Sequence, residues 1–328
     1  MKTLILTQKE IKSLISIKEV VKVVERAFRE KGLGRVEMPA KLYLFYPKYQ
    51  GDLRLMPAYF KKLDISGVKI VNVHPQNPGK FGLPTVMATI CLIDPRNGYP
   101  IAIMDGTYIT ALRTGASSAV ASKYLAPKET PVVGMIGAGI QARTQLLAMA
   151  EVKKIKLVKV FDIKKETVLK YIQEMKRKTG LEIKLVKSIK EAVENSQIVI
   201  TTTPSRKPIV KNEWIKAGVH INTVGADAPG KEELDPKILK RAKVVLDDWQ
   251  QGIHSGEVNV PLSKGLLKEK EIYGEIGQIV AGKKKGRISD KEITVFCATG
   301  LAINDVITAN LVYQKAKKKK IGRWIELL

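Results

Sequence analysis

At 328 residues the chain exceeds one average domain, and its 45% hydrophobic content is ample for buried cores, so two domains sharing a cleft are expected. No stretch approaches ~18 unbroken apolar residues, and MKTLILTQKE lacks the apolar run and cleavage site of a signal peptide; the expectation is a soluble cytoplasmic protein with no membrane partner. The net charge of +25 comes mostly from lysines scattered along helix faces and aromatics are only 6%, which reads as a solvated surface suited to high temperature and not as a nucleic-acid interface.

In chain order, residues 8 to 31 carry an amphipathic helical period that Thr7 is placed to cap. Strand-like segments follow, AKLYLFYP, DLRLMPAYF, SGVKIVNVHP, PTVMATICLID and YPIAIMDG, separated by Gly, Pro and Asn; they predict an antiparallel N-terminal module. A helix from about Thr107 to Tyr124 leads out of it. From Pro131 short apolar strands alternate with helices: VVGMIG, KLVKVFD, IKLVKS, IVITTT, HINTVG, KVVLDD and ITVFCATG. That rhythm predicts an α/β fold, a doubly wound parallel sheet of the Rossmann type beside an α+β domain. A last helix from about Leu301 to Lys317 is expected to fold back on the N-terminal module, giving a discontinuous domain of residues 1–118 with 301–328 and a dinucleotide domain of residues 119–300. Cys91 and Cys297 lie inside apolar runs and read as buried free thiols.

One stretch carries specific chemistry. In VVGMIGAGIQARTQL an apolar strand ends in Gly137, Gly139 and Ala142 at G-x-G-x-x-A spacing and a helix begins. Gly137 permits the tight turn, Gly139 lets a pyrophosphate approach the backbone, and Ala142 lets the helix pack close to the strand; the free N–H groups at the helix start favour the anion. Gly137, Ala138, Gly139, Ile140 and Gln141 are thus candidate cofactor-binding residues. The next strand ends in Asp162, about where an acid bonds the adenine ribose 2′-hydroxyl and repels a 2′-phosphate, so NAD is expected over NADP. Thr202 and Thr299 fall at the ends of predicted parallel strands, where ligands of such sheets bind.

Arg54 lies in an alternating strand, and Lys69 interrupts the apolar run GVKIV. Arginine suits a carboxylate through paired hydrogen bonds, and a lysine facing a dry cleft exchanges protons near neutrality. Either could equally be a surface residue on a sheet. Arg113 precedes the small residues of RTGASS, and Asp227 occupies the turn VGADAPG, where an aspartate often bonds only its own backbone. His74 in NVHPQNPG falls close to these candidate residues, while His220 and His254 have no ligand spacing with cysteines or acids, so no metal site is expected.

The segments GDLRLMP, GVKIVNVHPQNP, GLPTVMA, ALRTGASSA, GAGIQARTQL, TTTPSRKP, VGADAPGKEELD and FCATGLAINDV resemble, nearly end to end and in order, the ornithine cyclodeaminase and mu-crystallin family, most of all its archaeal alanine dehydrogenase branch. The resemblance implies Arg54 as carboxylate anchor, Lys69 beside the substrate carbonyl or imine, and Asp227 as acid or base at the reacting carbon. It also implies Arg113 at the cofactor phosphates with Thr114 beside it, Val224, Gly225 and Lys231 along the cofactor cleft, and a homodimer paired through its N-terminal sheets. The implied activity is NAD-dependent amino acid dehydrogenation, first of all of alanine. Reduction of a cyclic imine such as pyrroline-2-carboxylate, ornithine cyclodeamination, and nucleotide-dependent binding without turnover stay open.

Overall fold

The computed structural model describes residues 1–327. The chain opens with β1 (Thr3–Leu6), α1 (Gln8–Leu14) and α2 (Ile17–Gly32), then runs through β2 (Val36–Glu37), β3 (Leu42–Tyr46), β4 (Gly51–Phe60), β5 (Ile65–Val73), α3 (Asn77–Lys80), β6 (Val86–Ile93), β7 (Pro100–Asp105) and α4 (Thr107–Leu125). Strands and helices then alternate: β8 (Val132–Ile136), α5 (Ile140–Ala150), β9 (Leu157–Phe161), α6 (Lys165–Thr179), β10 (Glu182–Leu185), α7 (Ile189–Val193), β11 (Ile198–Thr201), β12 (Arg206–Val210), β13 (His220–Thr223) and β14 (Glu232–Leu234). After these come α8 (Pro236–Arg241), β15 (Lys243–Leu246), α9 (Trp249–Ser255), α10 (Asn259–Ser263), β16 (Ile272–Glu275), α11 (Ile276–Val280), β17 (Thr294–Cys297), α12 (Ala302–Lys319) and β18 (Arg323–Ile325). The chain divides into two units, Met1–Arg113 with the segment from Leu301 onward, and Thr114–Gly300.

In the first unit the sheet order is β18-β1-β7-β6-β5-β4-β2, with β3 also on β4. The run from β3 to β7 is antiparallel as the alternation predicts, but β1 joins β7 in parallel, a pairing the short TLIL segment does not announce. Period-two alternation turns Arg54, Met56, Ala58 and Phe60 of β4 to one face with Lys69 and Val71 of β5 and Ile90 and Leu92 of β6. α12 packs on these three strands and against α2. The single helix expected over residues 8 to 31 is in fact two. Ile15 is extended (φ −126°, ψ 144°), and Ser16 starts α2 by a capping box with Glu19, just as Thr7 starts α1 with Glu10. Val20, Val24 and Phe28 then line one face of α2 at 0% exposure, each contributing about 1.5–3 kcal/mol. Cys297 is buried, but Cys91 is only half-buried, because it points away from the face that Ile90 and Leu92 share.

In the second unit eight strands form one sheet in the order β10-β9-β8-β11-β13-β17-β15-β16, and every pairing is parallel. Alternate residues of β11 feed two separate cores, Ile198 and Ile200 one, Val199 the other, so both faces are covered as a doubly wound sheet requires. Strand order reverses between β8 and β11, the switch point where such sheets open a crevice at their carboxyl ends. β16 at the sheet edge and the small β12-β14 pair are additions to the seven predicted strands.

Candidate active site

In the first unit the alternation of β4 and β5 puts Arg54 and Lys69 on the same buried face, at 6% and 1% exposure. Opposite them α12 contributes Asp305, which is 0% exposed. Its carboxylate joins two cations: Oδ2 lies 2.7 Å from Lys69 Nζ, and Oδ1 accepts from Arg113 Nε at 2.8 Å. Arg113, 5% exposed, is therefore no helix-surface arginine. Burial, then the Arg113 charge, pull the Lys69 ammonium from its usual range to about 7, against the opposing pull of Asp305; Lys41 presses the same way as Arg113. A lysine poised there exchanges protons at neutral pH.

Arg54 is oriented from the side. Its Nε and Nη2 donate to Asp52 Oδ1 and Oδ2 at 2.7 and 3.1 Å, and its guanidinium lies 5.2 Å from the Tyr43 ring centre. Asp52 thus occupies the Nε/Nη2 edge of the guanidinium. Asp52 pairs with Arg54, and Asp305 with both Lys69 and Arg113. Sequence reading did not single out Lys41, Asp52 or Asp305. The signal for Asp305 was an acid in the first turn of a helix whose start, AINDVITANLV, carries no other charge.

In the second unit β8 runs into the glycine turn and α5. Gly137 has φ +93°, and a Cβ there would stand 2.6 Å from Thr202 Oγ1, so the position excludes any side chain. Gly139 caps α5, and a Cβ placed on it would meet nothing within 4 Å, which leaves room for a pyrophosphate at the helix start. Ala142 is 0% exposed in the core beneath. Ile140 is 64% exposed, and Gln141 follows it in the first turn. Asp162 immediately follows β9, and its Oδ2 accepts from Ala138 N–H at 2.9 Å, which ties the acid to the turn. Arg143, overlooked in the sequence, donates to the Ala138 and Gly139 carbonyls at 2.7 and 3.0 Å and braces the turn from behind. Gly115 of α4 has a different use from ligand approach: a Cβ there would run into the Thr144 carbonyl of α5, and Gln145 donates to the Thr114 carbonyl at 3.3 Å. These residues fit a dinucleotide with an unphosphorylated ribose.

The loops after the central strands bring further groups to the carboxyl end of the same sheet. Thr202 follows β11, and its backbone N–H and hydroxyl both bond the Ile136 carbonyl, at 2.9 and 3.2 Å. Val224 and Gly225 follow β13 and lead to Asp227, whose Oδ1 accepts from Lys231 Nζ at 2.6 Å. Asn259 steadies this loop by accepting from Gly230 N–H and donating to the Lys231 carbonyl, both at 3.0 Å. Thr299 donates its backbone N–H and hydroxyl to the buried Asp247, at 2.7 and 2.9 Å. His220 is a core residue: it is 0% exposed, Nδ1 meets Thr294 Oγ1 at 2.8 Å, and burial pushes its pKa down to about 3. Among the described residues no cluster of three His, Cys, Asp or Glu is placed to hold a metal, and no helix is long and apolar enough to cross a membrane.

Comparison with known proteins agrees with this geometry. The family model described as ornithine cyclodeaminase/mu-crystallin matches residues 1–320. An alanine dehydrogenase from Archaeoglobus fulgidus is 49% identical, with 99% of each chain covered. Among solved structures, an archaeal alanine dehydrogenase dimer with bound NAD superposes at TM-score 0.96 with 48% identity over 100% of both chains. The Thermococcus litoralis Δ1-pyrroline-2-carboxylate reductase, in complex with NADH and L-proline, superposes at 0.95 with 44% identity over 98% of this chain and 99% of that one. The chain belongs to the ornithine cyclodeaminase/mu-crystallin family.

Proposed function

We propose that the protein is an NAD-dependent amino acid dehydrogenase that interconverts alanine with pyruvate and ammonia. The observation that carries this reading is the buried Lys69, held between Asp305 and the Arg113 charge with a pKa of about 7. A residue that only filled space would not be a desolvated lysine, whereas chemistry at a C–N bond needs a proton donor and acceptor near neutrality.

The substrate carboxylate is held by the cationic group of Arg54, Arg113 and Lys41, which fixes the α-carbon. Arg113, expected at the cofactor phosphates, is assigned here to the substrate because its guanidinium shares Asp305 with Lys69. Lys69 gives its proton to the carbonyl or carbinolamine oxygen in the aminating direction and takes it back in the reverse. Asp227 acts as the second acid or base at the reacting carbon, and Lys231, 2.6 Å from its carboxylate, orients it. The glycine turn from Gly137 to Gln141, Asp162, Thr202, Val224, Gly225 and Thr299 hold the dinucleotide, with Thr114 supporting α5 from behind. When bound, NAD supplies the hydride acceptor.

A second reading is kept because of the 44% identity to a pyrroline-2-carboxylate reductase: the same groups would serve a preformed cyclic imine. NADH oxidation with pyruvate plus ammonium, measured beside oxidation with pyrroline-2-carboxylate alone, separates the two. Faster, ammonium-dependent turnover of pyruvate supports the first reading, and preference for the cyclic imine supports the second.

The protein is also assigned as a homodimer. Leu42, Leu44 and Phe45 of β3 stand 58%, 52% and 63% exposed on an edge strand, where an apolar surface calls for a cover. Light scattering that returns the mass of one chain at micromolar concentration would refute this.

A further inference from the structure

In the second unit lies a buried carboxylate that the mechanism above does not use. Glu233 of β14 is 0% exposed and collects four hydrogen bonds, one from the last residue of β11 and three from the loops that follow β11 and β13. Oε1 accepts from the Thr203 N–H at 2.8 Å and the Thr203 hydroxyl at 2.7 Å. Oε2 accepts from the Thr201 hydroxyl at 2.7 Å and the Gly225 N–H at 2.9 Å. The first loop follows β11 and bears Thr202; the second follows β13 and leads to Asp227. The two touch at Gly225, where an added Cβ would run into the Thr203 carbonyl and stand 2.7 Å from Glu233 Oε2. β11 and β13 are parallel neighbours, so these loops sit side by side at the end of the sheet where nucleotides bind.

We propose that Glu233 is a positioning residue for the nicotinamide half of the cofactor site, clamping the β11 loop to the β13 loop so that Thr202 and Asp227 keep a fixed separation. The proposal rests on the dinucleotide reading above. Burial raises the Glu233 acid, and the hydrogen bonds from Thr201, Thr203 and Gly225 act against that by favouring the carboxylate form. Four donors, two of them backbone N–H groups that cannot turn away, converge on two oxygens, and only a carboxylate offers four acceptor positions. A glutamine there fails in either orientation, since its NH2 would face the N–H of Thr203 or of Gly225.

The clamp is itself anchored. Glu257 Oε1 accepts from the N–H groups of Glu233 and Leu234, at 2.8 and 2.7 Å. Burial, then the neighbouring Glu233 charge, push the Glu257 acid well up, and burial raises Glu233 as well, against the hydrogen bonds that lower it. The adenine half is built from other parts, the Gly137 turn, Asp162 and Arg143, none of which bonds Glu233.

That separation makes the proposal testable by binding alone. Calorimetric titration of Glu233→Gln with NADH and with ADP-ribose is expected to weaken NADH at least about tenfold while ADP-ribose stays within about twofold of wild type, as loss of charged hydrogen bonds at one half would do. Unchanged NADH affinity overturns the clamp, and so does equal weakening of both ligands, which marks general destabilisation. Should Glu233→Gln not fold, Thr203→Val removes one hydroxyl donor and keeps the N–H; it is expected to weaken NADH about threefold or more without touching ADP-ribose, and no change overturns the clamp. Wild-type protein that binds neither ligand overturns the dinucleotide reading and the clamp together.

Discussion

Lys69 Nζ lies 2.7 Å from Asp305 Oδ2, and both side chains are sealed from solvent, at 1% and 0% exposure. The pair is unbalanced in favour of cations, since Arg113 binds the other oxygen of the same carboxylate. Asp305 raises the Lys69 pKa against burial and Arg113, which lower it. Asp305→Asn is therefore expected to move the Lys69 ionisation below about 7 and to shift the corresponding limb of the pH–rate profile to lower pH. A limb that stays in place, or moves to higher pH, would exclude this coupling.

The same lysine makes stability depend on pH. Its pKa falls from 10.5 to about 7 on folding, so between those values the unfolded chain binds more protons and stability rises with pH. The penalty is fully present below about 7 and gone above about 10.5, and by linkage it amounts to roughly 5 kcal/mol. Lys69→Met, whose Asp305 keeps Arg113, is expected to lose turnover yet melt no lower than wild type at pH 7, and to lack the Lys69 share of the rise toward pH 10. Thermal melts of both proteins across that range check it; parallel curves would contradict the assigned ionisation.

Asp162 follows β9 and bonds the glycine turn through Ala138 N–H at 2.9 Å. Asp162→Ala should weaken NAD by about ten- to a hundredfold and NADP much less, because the lost carboxylate bonds one ribose and repels the phosphate on the other. Equal losses for both cofactors in equilibrium titrations would show that Asp162 only braces the turn.

Asp227 is held by Lys231 at 2.6 Å in a loop pinned by Asn259. For Asp227→Ala the expected result is a fall in kcat of about 10²–10⁴ with NADH affinity nearly unchanged. Retained kcat would reduce the residue to a turn aspartate.

Much of this architecture is legible in local pattern. β3 to β7 and seven of the eight strands in the parallel sheet follow from period-two alternation and from apolar runs punctuated by glycine, and the Gly137 turn follows from its spacing between β8 and α5; the short β1, β2, β12, β14, β16 and β18 do not. Alternation also puts Arg54 and Lys69 on one face. What local pattern misses are partners brought together by the fold. Arg113 and Asp305 are 192 residues apart, and nothing near either one names the other. Asp52, Asp247 and Glu233 look like ordinary strand-end or turn acids until their hydrogen bonds are known. The break at Ser16 escaped for another reason: hydrophobic period continues across α1 and α2, and only the second capping box marks the start of a new helix.

The most direct test of the account is the pH dependence of kcat/KM for L-alanine oxidation by NAD in the wild-type protein. If Lys69 is the proton acceptor, the profile rises through an ionisation near pH 7, and that step lies at lower pH in Asp305→Asn. A profile with no ionisation between about pH 6 and 8, or one that falls with rising pH, would contradict the assignment of Lys69.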